Sequence, residues 1–121
     1  MSSSVKRDKK GEQMKKVKAD EAHFFMEGPE VCREYYKVDR ILFGSSTLKP
    51  GETGEIDYGH PVSEEVFYVC QGKVTITDPS SGNFVELEKG DAVLIPPSVQ
   101  HQIKNIGEEE ALLTWSCAPC P

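Results

Sequence analysis

The chain has 121 residues, 37% of them hydrophobic and 28% charged, with a formal net charge of −6 at pH 7, a size that gives one domain around one core. No apolar run approaches the roughly 20 residues that cross a bilayer, and the N-terminus lacks the apolar stretch of a secretory signal, so the expectation is a cytoplasmic protein with no membrane partner. Residues 1–20 carry seven basic side chains against three acidic ones, leaving −10 on the rest. An acidic body lacks the clustered Lys and Arg that neutralise phosphates, which argues against a nucleic-acid partner.

Residues 1–11 are rich in Ser and Lys, with Val5 their one branched apolar side chain. Such a segment buries too little to offset its ordering entropy. Residues 1–20 are therefore expected to form a flexible basic arm, and residues 21–121 the single folded domain. Met14, followed by Lys15-Lys16-Val17, has the pattern of an alternative start. Residues 20–26 are the one segment that reads as a short helical turn.

From Lys37 onward, short runs rich in Val, Ile, Phe and Thr are cut every eight to twelve residues by Gly, Pro and Ser. That rhythm predicts an all-β sandwich or barrel. Strands are predicted at 38–48, 55–60, 65–70, 73–78, 83–87, 92–95, 100–106 and 111–117. Turns fall at Lys49-Pro50-Gly51, Gln71-Gly72, Ser81-Gly82-Asn83, Lys89-Gly90-Asp91 and Pro96-Pro97. Neither an internal repeat nor a heptad pattern is present.

Successive side chains of a strand point to opposite faces, so a period of two assigns an interior. Glu65 shares a face with Phe67 and Val69, which places a carboxylate on the core side. A buried Glu without a partner is costly and calls for a counter-ion or a metal. By the same count Ile56, Tyr58 and His60 share an inward face, as do His101, Ile103 and Asn105. Glu64 and Asp57 fall outward, and His23 lies before the barrel, exposed. Three strands thus aim polar side chains into one interior, and His60, Glu65 and His101 have the composition of a two-histidine, one-carboxylate metal centre.

Residues 50–72, PGETGEIDYGHPVSEEVFYVCQG, resemble the first motif of the cupin superfamily: a Pro-Gly turn, a His-x-His pair, a Glu, six residues and a Gly. Residues 90–105, GDAVLIPPSVQHQIKN, are similar to the second motif, with Gly90, Pro96, His101 and Asn105 at its positions. Ser98 stands where the turn glycine is usual. The resemblance covers residues 37–117 and implies a double-stranded β-helix, or jelly-roll, barrel with a short irregular N-terminal arm. It also implies a divalent transition metal (Fe, Mn, Ni, Co, Cu or Zn) on His60, Glu65 and His101, and a homodimer.

One position departs from the motif. His60 falls on the second His of the pair, so Tyr58 occupies the first. Three readings of Tyr58 stand open: a metal ligand or acid/base that serves catalysis, a hydrogen-bonded core tyrosine beside a three-ligand metal, or the mark of a lost site. Phe67, Ile103, Asn105 and Trp115 are the remaining candidates to line a substrate pocket. Cys70 alternates outward. Cys117 and Cys120 have the spacing of a redox pair, yet no helix follows them to lower a thiol pKa, and they read as an incidental C-terminal pair. The functional expectation is a metal-dependent enzyme of lyase, isomerase or dioxygenase type acting on a small polar or carboxylate-bearing metabolite. The alternative is a non-catalytic cupin that binds or senses a small molecule.

Overall fold

The fold is described from a computed structural model for residues 13–121; the expectation for residues 1–12 lies outside the described residues. The described residues form nine strands, those from β3 onward set mainly by alternating apolar and polar side chains: β1 His23–Glu27, β2 Glu30–Lys37, β3 Leu42–Leu48, β4 Glu64–Gln71, β5 Lys73–Thr77, β6 Phe84–Glu88, β7 Ala92–Ile95, β8 Gln102–Asn105 and β9 Ala111–Ala118. They form a six-stranded sheet in the order β1-β2-β3-β9-β4-β7 and a three-stranded sheet in the order β6-β5-β8. All named pairs are antiparallel. This is the all-β jelly-roll expected from the sequence.

The inward faces of both sheets close one core, in which Leu48, Phe67, Val69, Val74, Ile76, Leu113 and Trp115 are buried together. In β4 the buried positions are Glu65, Phe67 and Val69; in β9 they are Ala111, Leu113, Trp115 and Cys117. Trp115 lies opposite Gly44 in the β3–β9 ladder, and its indole Nε1 donates to Ser46 Oγ at 3.0 Å. The indole occupies the space that a side chain at 44 would need: a Cβ there would lie 2.3 Å from Trp115 and 2.4 Å from the Arg33 carbonyl oxygen. Gly44→Ala is accordingly expected to lower stability by about 1–3 kcal/mol, the usual cost of overpacking, as read from the midpoint of urea unfolding.

Three expectations need correction. Residues 20–26 are not a helical turn: a three-residue 3-10 helix, Ala19–Glu21, gives way to β1. A hairpin of β1 and β2, turned at Gly28 with φ +61°, adds two strands before Lys37. Their inward positions carry Glu27, Glu30 and Cys32, so the apolar alternation that signals a strand is missing there. Residues 55–60 are not a strand either; from this connection Asp57 makes an isolated bridge to His101, and Thr53 one to Lys104. The near end of the basic arm lies along β2, where Tyr36 Oη donates to the Lys15 carbonyl and Arg33 Nε to that of Ala19 at 3.3 Å. Among the described residues, no helix is long and apolar enough to cross a membrane.

Candidate functional site

Glu65 on β4 and His101, one residue before β8, are brought to one end of the core by the alternation that the sequence displays. Their residues are 5% and 3% exposed, and Glu65 Oε1 lies 3.1 Å from His101 Nε2. His101 Nδ1 lies 3.1 Å from the Val99 carbonyl oxygen, which can only accept, so Nδ1 carries a hydrogen and Nε2 faces the carboxylates. Neither Glu65 Oε1 nor His101 Nε2 has an aligned hydrogen-bond partner. His60 Nε2 stands 3.9 Å from the same Glu65 oxygen.

Asp57, not Tyr58, reaches this centre from the connecting segment. Asp57 Oδ2 is 3.4 Å from His101 Nε2, whereas Tyr58 is 71% exposed. The cause is Gly59, whose φ of +88° breaks the period of two and turns Asp57 and His60, three apart, to the same side. A Cβ at 59 would lie 2.9 Å from the Val99 carbonyl oxygen, so this close approach requires glycine. Ser98, facing it, also adopts a positive φ of 66° and donates its N–H to the His60 carbonyl at 2.8 Å. Ser98→Gly is expected to raise stability by about 1 kcal/mol by relieving that conformation, measured as a shift in the thermal midpoint.

Burial opposes charge on His101, but the Asp57 and Glu65 carboxylates beside Nε2 outweigh it and raise its pKa to about 10. His101 in turn holds the Asp57 carboxyl down at about 2. A centre at which two carboxylates converge on an imidazole nitrogen attracts a cation, whether a proton or a metal ion. Two overlapping groups have the donors for a metal: Asp57, Glu65 and His101, and His60, Glu65 and Cys117; the trio expected from the sequence, His60, Glu65 and His101, is split between them, with Glu65 shared. Imidazole with carboxylate suits divalent first-row ions, and the two unpartnered buried atoms fit such an ion.

The centre opens into a cavity of about 140 Å³, lined in part by Glu27, Glu30, Glu34, Phe67, Trp115 and Cys117. Phe67 and Trp115 are on its wall. Ile103 and Asn105 do not line it: Ile103 is 3% exposed in the core, and Asn105 is committed to backbone groups beyond the core, as detailed below. Cys117, read from sequence as an incidental tail residue, is 1% exposed and inside the barrel; burial pushes its thiol pKa up. The signal was available in the alternation 111, 113, 115, 117.

Across the cavity, burial first and Glu27 beside it raise Glu30 to about 7, against the opposing hydrogen bond from Ser46. Because the folded value lies above the unfolded one, this group's contribution is fully present below about pH 4.5 and is lost as pH rises through about 7. Glu30→Gln is expected to be more stable than wild type at pH 8, by about 2–3 kcal/mol, with the difference vanishing below pH 4.5. Urea unfolding across that pH range measures it.

A Cupin domain model matches residues 44–117. The chain is a cupin. Its relatives include Polyketide synthase CurC of Streptomyces cyaneus, 32% identical over 78 residues, 64% of this chain and 49% of that protein. This cupin spans about half the length of that relative, as it does for SchB of Streptomyces halstedii, 36% identical over 80 residues, 64% of this chain and 54% of that one. Among solved structures, the polyketide cyclase RemF of Streptomyces resistomycificus superposes with a TM-score of 0.70 at 19% identity, covering 90% of this chain and 81% of its own. At that identity the likeness shows the fold.

Proposed function

We propose that this cupin is a metal-dependent enzyme that binds a divalent transition ion on His60, Glu65 and His101 and moves a proton on a small polar metabolite. The observation that carries the reading is the pair of buried atoms, Glu65 Oε1 and His101 Nε2, which converge without aligned hydrogen-bond partners. When bound there, such an ion polarises a ligand oxygen as a Lewis acid.

The chain's own residues supply the rest. Val99 holds the His101 ring through Nδ1, as second-shell carbonyls commonly do for ligating imidazoles. Asp57, whose side chain is 32% exposed, has its pKa held at about 2 by the proton on His101; with an ion at Nε2 in place of that proton, this carboxylate would be free to take a proton from a substrate in the mouth and return it. Phe67 and Trp115 form the apolar wall. Tyr58, outside the cavity, takes no part. Among the described residues that line the cavity none is Lys or Arg, so the favoured substrate bears hydroxyl, carbonyl or phenol groups rather than a free carboxylate that needs a basic side chain. Proton transfer next to a carbonyl is the chemistry of an isomerase, a lyase or a cyclase, and a relative named as a polyketide synthase protein supports that reading.

The test is exchange of carbon-bound hydrogen in deuterated water, followed by NMR, for a panel of hydroxyketones and phenolic ketones with metal-loaded protein. Wild type is expected to exchange one class of compound and Asp57→Asn to exchange it at least about 100-fold more slowly. Saturable binding of a panel compound without exchange would replace the enzyme by a small-molecule-binding cupin.

A further inference from the structure

We propose that Cys117 is a ligand of the same centre, so that the ion is held in part by a thiolate and belongs to the metals that sulfur favours. The inference rests on the metal reading above and adds to it a donor and a selectivity.

Four observations converge on Cys117. In the β4–β9 ladder it lies directly opposite Glu65, and side chains of an opposed pair stand on the same face of the sheet. It is 1% exposed, it lines the same cavity, and it is not in a disulfide. Its Sγ, a nitrogen of His60 and an oxygen of Glu65 all lie within 4.8 Å of one another. Donors bound tetrahedrally at 2.0–2.3 Å to one ion stand roughly 3.3–3.8 Å apart, so modest side-chain rotations close the set. The fourth observation is Glu65 itself, a residue 5% exposed whose Oε1 has no hydrogen-bond partner and which belongs to both donor groups.

The departure at Tyr58 gives the thiol a place. With that side chain turned out, the first motif supplies one imidazole, and the last strand brings a sulfur to the same carboxylate. The cysteine across the cavity is placed differently: Cys32 Sγ lies within hydrogen-bonding range of Glu30 and Ser46, and no donor group that includes it shares Glu65. A thiolate beside imidazole and carboxylate favours Zn, Fe, Co or Cu over Mn and Mg, and its charge together with that of Glu65 neutralises a divalent ion.

Anaerobic titration of the full, metal-free chain with Co(II) reads the ligand directly. Wild type is expected to develop a thiolate-to-cobalt charge-transfer band in the near ultraviolet, together with weak visible bands. Cys32→Ser and Cys120→Ser retain the near-ultraviolet band and Cys117→Ser loses it. Cobalt bound with visible bands alone, or a charge-transfer band that survives Cys117→Ser, overturns the thiolate and leaves the metal reading intact. Failure of wild type to bind cobalt by equilibrium dialysis sinks both. If Cys117→Ser does not fold, X-ray absorption of the zinc-loaded wild type decides: a sulfur scatterer at about 2.3 Å is expected, and a shell of nitrogen and oxygen only overturns the proposal.

Discussion

Glu65→Gln is expected to abolish metal binding while the barrel stays folded. Glu65 belongs to both donor groups of the centre, with imidazole nitrogens at 3.1 and 3.9 Å from one of its oxygens. The amide keeps the volume and removes the charge, leaving a weak neutral donor where a dication needs an anion. Loss of a residue that merely supports a ligand costs roughly 10–100-fold in affinity, so loss of the shared ligand is expected to exceed that. Equilibrium dialysis against Co(II) or Zn(II) measures it, with far-UV circular dichroism as the check on folding. Affinity within tenfold of wild type would show that the ion, if bound, is not held here.

Asn105→Ala is expected to be the most destabilising of these changes, although Asn105 does not touch the cavity. The residue is 0% exposed. Its Nδ2 donates to the carbonyls of Leu48 and Glu109, each at 2.9 Å, and its Oδ1 accepts from Gly107 N–H at 2.8 Å. One side chain therefore ties the end of β3 and the β8–β9 loop to the end of β8. Truncation strands two carbonyls and an N–H, and buried groups left unpaired cost about 1–3 kcal/mol each where water cannot replace the bond. The expected loss is about 3 kcal/mol or more, roughly 10–15 °C in the thermal midpoint for a domain of this size. A loss below about 1 kcal/mol would show that water takes over these bonds. Metal affinity, if measured at a temperature where the variant is folded, is expected to change little.

Where strands are regular, the site was legible in the sequence. Glu65 and His101 were placed inward by alternation with Phe67, Val69 and Ile103, and Glu64 was placed outward. The same count failed at residues 55–60, because a positive φ at Gly59 shifts the period by one. It therefore exchanged Asp57, which reaches His101, for Tyr58, which points to solvent. The β1–β2 hairpin carries no strand signature for a different reason: its inward face holds Glu27, Glu30 and Cys32, a polar lining that resembles loop sequence. Asn105 was placed correctly inside, yet its role follows from three backbone partners that no single-sequence pattern displays. Cys117 was obscured by Cys120, since the pair invited a motif reading where strand alternation was the better guide.

The proposed function requires a metal centre built on Glu65 at the barrel's mouth. Elemental analysis of protein purified without tags or chelators, alongside His60→Ala and His101→Ala, tests it most directly. Wild type is expected to hold close to one equivalent of a transition metal per chain, and both variants to lose most of it. Wild-type protein that holds no metal even after reconstitution, or variants that keep it undiminished, would contradict the account.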